Sequence, residues 1–93
     1  MKLTFEQLET ELRKLTGWEH VDGSIQKHFQ FGSFMGAIEF VNSIASLAEQ
    51  TNHHPDIDIR YSKVIVTLST HSEDGITEKD IEMAKDIERL VAS

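Results

Sequence analysis

Apolar positions along the chain repeat with two different periods. Near the start, Phe5, Leu8, Leu12 and Leu15 recur every three or four residues, which traces one apolar stripe on a helix. Thr4 precedes the stripe with Gln7 three residues later, a capping box. Gly17 then fits the position just past a helix end. Beyond it the period shortens to two. Residues 18–21 and 24–31 flank Asp22-Gly23, a dipeptide suited to a two-residue hairpin turn. Ile25, Phe29 and Phe31 share one face of the second strand; Gln26, His28 and Gln30 share the other.

The helical period returns after Ser33, a second N-cap. Phe34, Ala37, Ile38, Val41, Ile44, Ala45 and Ala48 form a wide stripe. This helix fades near Thr51-Asn52, because Pro55 forces the residues around it out of helical geometry. Ile57, Ile59 and Tyr61 alternate with Asp58 and Arg60 as a third strand, and Ser62-Lys63 makes a short turn. Residues 64–71 read as a fourth strand, with Val64, Val66 and Leu68 on one face and Ile65, Thr67, Ser69 and His71 on the other. Glu73-Asp74-Gly75 is a loop. Thr77 caps a last helix with Asp80 at its third position, and Met83, Ala84, Ile87, Leu90 and Val91 supply the apolar face.

The predicted order is αββαββα. Strands joined by tight turns are antiparallel. The natural packing is a two-layer α+β fold, a four-stranded antiparallel sheet with helices on one face. Residues 1–93 make one domain, without repeats, linkers or low-complexity segments. A domain of this size buries only about 60–65% of its unfolded surface, so assembly into a homodimer or homotetramer is expected.

Composition narrows the function. With 39% hydrophobic and 27% charged residues the chain is globular, not disordered. A net charge of −7 repels phosphate backbones, which argues against direct nucleic-acid binding. Cysteine is absent, so disulfides, thiolate catalysis and cysteine-based zinc sites are excluded. No apolar run is long enough to span a membrane, and the first residues lack the apolar core of a signal peptide. A cytoplasmic location is expected.

Chemistry concentrates in the last two strands. His53 and His54 leave the second helix, and His71 ends the fourth strand. If strands three and four form a hairpin, His71 returns beside His53-His54. Histidine is the side chain best matched to acid–base work near neutral pH. Two readings compete with catalysis. Neighbouring histidines in a polar turn also fit ordinary surface residues. A zinc site could draw on His53, His54, His71 and either Asp56 or Glu49. Adjacent histidines suit a tetrahedral cage poorly, and helical HExxH spacing is absent.

These residues carry a specific resemblance. Glu49, three residues, His53-His54-Pro55, five residues, Tyr61, nine residues, His71, eight residues and Asp80 resemble the signature of the pterin-4a-carbinolamine dehydratases. Gly17-Trp18 matches the family's early aromatic. Phe31, Phe34, Ala37 and Phe40 match the start of its second helix, and Leu68-Ser69-Thr70-His71 its histidine-bearing strand. Asn52 stands where an aspartate is common and Ile57 where a tryptophan is common.

The resemblance implies dehydration of a 4a-hydroxytetrahydropterin to a quinonoid dihydropterin, in tetrahydrobiopterin recycling, with no metal and no cofactor. His53 and His71 become the acid–base pair, and His54 a ring-binding residue that could share the acid role. Trp18 would line the pterin pocket, or else be a core aromatic. Glu49, Asn52, Ser69 and Thr70 would bind or orient around the substrate. Tyr61 and Asp80 fit structural roles as well, as a core tyrosine and a helix-cap carboxylate; His20 and His28 receive none. Some members of the family also act as coactivators by binding a transcription factor's dimerisation region, though no residue here specifies such a protein partner. Another pterin pathway, such as molybdopterin metabolism, is the third reading.

Overall fold

The computed structural model describes residues 1–92. Its elements are α1 (Phe5–Arg13), β1 (Glu19–Val21), β2 (Ser24–Gln30), α2 (Phe34–Thr51), β3 (Asp56–Arg60), β4 (Lys63–Leu68), a 3-10 turn at His71–Glu73 and α3 (Glu78–Ala92). The four strands form one antiparallel sheet in the order β1-β2-β4-β3. This is the expected α+β fold in the expected order.

Both hairpins close over two residues, with Val21 opposite Ser24 and Arg60 opposite Lys63. The strand period of two then divides the sheet. Ile25, Phe29, Val64, Val66 and Leu68 face the helices and are buried against Ala37, Ile44, Ile81, Ala84 and Ile87. Gln26 and Thr67 pair through their side chains on the opposite face. Lys27 lies on the core side but carries its charge outward, past the Phe29 ring, to the Thr16 carbonyl and to Glu88.

Four expectations are corrected. First, α1 stops at Arg13, well before Gly17. Lys14 and Leu15 continue as turns, and Gly17 takes a left-handed φ of 88° below the Lys27 stem, where an added Cβ would come within 2.9 Å of it. The stripe splits accordingly: Leu8 and Leu15 are buried, whereas Phe5 is 65% exposed. Second, the α2 stripe is shifted, since Phe40 is buried and Phe34 and Ala45 lie outside the core. Third, the second hairpin turns at Tyr61-Ser62, one residue early. Tyr61 adopts φ 54° and is 75% exposed, so it is not a core tyrosine. A bulky residue in that region costs about 1–3 kcal/mol; Gln30 and Phe31 hold the turn through hydrogen bonds to Ser62.

Fourth, β4 ends at Leu68, and His71 begins a 3-10 turn instead of closing a strand. Alternation continues through Thr70 in the sequence, but Thr70 pairs with Gly75 across the loop that follows, not with another strand. Its carbonyl also accepts from Glu73, which coils the chain back at His71.

Candidate active site

His53 and His54 owe their different settings to the way α2 ends. Asn52 takes the left-handed conformation, φ 53° and ψ 41°, one that asparagine adopts at lower cost than most residues. The N–H groups of Asn52 and His53 both reach back to the Ala48 carbonyl. The chain then turns into β3, leaving the His53 side chain 12% exposed and that of His54 55% exposed.

Each histidine meets a different carboxylate. His54 Nε2 lies 2.5 Å from Glu49 Oε2, an exposed pair bridging the end of α2. Such pairs contribute about 0–1 kcal/mol, so this one orients more than it stabilises. His53 Nε2 lies 2.7 Å from Oδ1 of Asp80, which has no solvent exposure. A carboxylate only accepts, so Nε2 is the donor and Nδ1 is left for other chemistry.

Asp80 occupies the third position of α3. Its Oδ2 accepts from the Thr77 backbone N–H at 2.9 Å and from the Thr70 hydroxyl at 2.8 Å. Thr70 has one hydroxyl proton. Since that proton goes to Asp80, Thr77 must donate its own to Thr70 Oγ1, 2.7 Å away. Thr77 Oγ1 in turn accepts from the Lys79 N–H. The result is one directed chain of buried hydrogen bonds ending on the carboxylate that carries His53.

His71 follows Thr70 directly, so this network spans from one histidine to the residue before the other. The sheet register explains the approach: Asp56 pairs with Thr67, which sets the start of β3 beside the end of β4. The hairpin therefore brings both histidine segments to one end of the sheet. The side chains nevertheless line different cavities. His53, Thr51, Lys79 and Met83 line one of about 290 Å³. His71, Ser69, Thr70 and Ser24 line another of about 220 Å³.

Trp18 is not brought to either cavity. It is 4% exposed, stacks edge-on with Phe29 at 6.1 Å and donates its indole N–H to Glu88 at 2.9 Å. Glu88 lies about 12 Å beyond Asp80 along α3 at 1.5 Å per residue. Trp18 packs as part of the buried core. Among the described residues, no three histidine, aspartate or glutamate side chains form a group able to hold a metal. No described helix is long and apolar enough to cross a membrane.

The bond from Asp80 to His53 is what sequence reasoning missed. Its signal was present, because Asp80 closes the spaced signature that begins at Glu49. A capping carboxylate uses one oxygen for the cap, and the other remains available for a histidine.

A two-layer α+β domain with a carboxylate-backed histidine at the rim of its sheet defines the class. Comparison with known proteins is specific. The family model for pterin 4 alpha carbinolamine dehydratase matches residues 1–90. A relative from Herpetosiphon aurantiacus, provisionally named a pterin-4-alpha-carbinolamine dehydratase, is 54% identical over 86 residues, 92% of this chain and 90% of its own. One from Mycobacterium avium with the same provisional name is 47% identical over 91 residues, 98% of this chain and 97% of its own. A transcriptional coactivator/pterin dehydratase from Brucella melitensis superposes with a TM-score of 0.92 at 41% identity, covering 96% of this chain and 97% of that one. A pterin dehydratase-like RuBisCO assembly factor of the alpha-carboxysome superposes less closely, with a TM-score of 0.67 at 26% identity over 82% of this chain and 88% of that one. The chain belongs to the pterin-4a-carbinolamine dehydratase family.

Proposed function

We propose that the chain dehydrates a 4a-hydroxytetrahydropterin, 4a-hydroxytetrahydrobiopterin being the expected substrate, by histidine acid–base catalysis without a metal. The leaving hydroxyl sits on a carbon bonded to a ring nitrogen. His53, held at Nε2 by the Asp80 carboxylate, takes the N–H proton at Nδ1. The nitrogen's electron pair forms the new C=N bond as the C–O bond breaks. His71 supplies the proton with which the hydroxyl leaves as water, and the product is a quinonoid dihydropterin. Each transfer lies within the reach of an imidazole. For both histidines to serve one ring, the pterin lies across the end of the β3–β4 hairpin, with Ser69 and Thr70 beneath it. His54, oriented by Glu49, binds the ring from the exposed side, and Asn52 sets the angle between the two histidines.

The observation that carries this reading is the hydrogen-bonded path His53–Asp80–Thr70, which ties a partly buried imidazole to the segment bearing His71. The test is a direct dehydratase assay with enzymatically generated 4a-hydroxytetrahydrobiopterin. Acceleration over the spontaneous rate, lost on replacing His53, supports it. A rate no faster than the spontaneous one rejects it.

A second reading is a protein-binding role of the coactivator kind, which the Brucella relative's name records. The observation favouring it is an exposed apolar start to α2, with Phe34 47% and Met35 61% exposed. Substituting both by lysine should abolish such binding while sparing dehydration.

A further inference from the structure

The cavity lined by His71 has a neighbour at the β1–β2 turn. It shares Gly23, Asp74 and Gly75 with a second cavity of about 260 Å³, walled by Leu3, Phe5 and Ile76. The two differ in character. The first presents Ser24, Ser69 and Thr70; the second is mainly apolar, with His20 on its wall. At about 220 Å³ the first is smaller than an ordinary ligand site of about 300–1,000 Å³, and the pair together fall inside that range.

Phe5 is the informative residue. It belongs to the apolar stripe of α1 yet is 65% exposed, so the core does not use it. The segment before it is held in place: the Leu3 N–H donates to the Ile76 carbonyl at 2.9 Å, and Lys2 packs over Gly75. The wall is therefore attached to the loop that carries His71.

We propose that the second cavity is a subsite for the substituent of a pterin bound beside His71, with Phe5 setting a preference for an extended hydroxyalkyl chain. The inference rests on the pterin reading above. A polar ring fits the serine and threonine cavity, and the carbons of its chain fit Leu3, Phe5 and Ile76. An uncharged chain is favoured over a phosphate ester, because the acidic residue Asp74 lines both cavities and the protein carries a net charge of −7.

The test is calorimetry on the intact protein with two stable 7,8-dihydropterins, one bearing a 6-methyl group and one a 6-dihydroxypropyl chain. Wild type should bind the longer ligand about 10-fold tighter, the low end of what one or two apolar contacts discriminate. Phe5→Ala should bring that ratio close to one. Gly23→Leu is the second probe. An added Cβ there meets nothing within 4 Å and the backbone is not left-handed, so the fold tolerates it, while the side chain stands at a residue that lines both cavities. It should also erase the preference. Equal affinities in wild type, or a ratio unmoved in both variants, would overturn the subsite while leaving the pterin reading intact. Tighter binding of the chain's phosphate ester would overturn the preference for an uncharged chain. Failure of both dihydropterins to bind would remove the pterin reading and the subsite with it.

Discussion

The His53 imidazole meets the Asp80 carboxylate at 2.7 Å, and Asp80 has no contact with solvent. A buried charge persists only where it is paired and hydrogen-bonded. Asp80 meets that condition with three partners: His53, Thr70 and the Thr77 backbone. The same carboxylate therefore starts α3 and fixes which nitrogen of His53 carries the proton.

Asp80→Asn separates these two roles. The amide keeps the shape and one acceptor, but its NH2 group must face either His53 or the threonine donors. Facing the threonines it no longer accepts their hydrogen bonds, at a cost of about 1–3 kcal/mol; facing His53 it donates to Nε2 and moves the imidazole proton to Nδ1. For a domain of this size the expected fall in Tm is about 4–8 °C per kcal/mol. The folded variant should lose about 10²–10⁴-fold in kcat with a smaller change in KM, because His53 is presented in the wrong tautomer. Asp80→Ala should cost about 3–5 kcal/mol, a large share of a small domain's stability. Wild-type kcat in a folded Asp80→Asn protein would remove Asp80 from the mechanism.

His53→Ala and His71→Ala should each lower kcat/KM by about 10²–10⁴-fold. The double variant should lose less than the product of the two, since groups serving one reaction step are not additive. His71 is exposed and His53 nearly buried. Circular dichroism should therefore report an intact fold for His71→Ala and a lower Tm for His53→Ala. Near-wild-type rates in both folded single variants would exclude the pair.

Most of the fold was legible because its signals are local. Thr4 with Gln7, Ser33, Asp22-Gly23 and Thr77 with Asp80 each specify a cap or a turn within four residues. The misreadings arose where a tertiary partner decides. Residues 64–71 alternate like one long strand, but only the Thr70–Gly75 bridge determines where the strand ends. Tyr61 is held left-handed by a turn whose anchors, Gln30 and Phe31, lie in another hairpin. Phe5 matches its stripe and is still exposed, because the sequence does not say where the core stops. The histidines were legible as a group; the separate cavities of His53 and His71 were not.

Self-association is expected along β3. It is an edge strand of five residues, and Ile59 on it is 37% exposed. Two copies paired antiparallel about Asp58 would set Ile57 opposite Ile59 and Asp56 opposite Arg60, matching apolar with apolar and acid with base. An unprotected edge of this kind recruits another strand. Sedimentation should find a dimer or larger assembly at micromolar concentration, and Ile59→Lys should shift it toward monomer by about 10-fold in Kd. A wild-type protein that stays monomeric there would rule the association out.

Catalysis is expected to need no metal. Zinc and acid–base chemistry would compete for the same histidines, because a bound ion holds its ligands neutral and removes their protons from use. In this chain His53 already spends Nε2 on Asp80, and His54 spends Nε2 on Glu49, so each could offer a metal only Nδ1. Their side chains also differ sharply in burial, 12% against 55% exposed, which suits two separate tasks better than one shared cage. An acid–base pair instead requires one imidazole to hold a proton while the other accepts one. Activity should then fall on both sides of an optimum: at low pH the base is already protonated, and at high pH the acid has lost its proton. Two measurements on one preparation decide between the mechanisms. Elemental analysis should find far less than one metal per subunit, and prolonged chelation should leave both the rate and the bell-shaped kcat/KM profile unchanged. Activity that disappears on chelation and returns with zinc would make the histidines ligands and defeat the acid–base assignment.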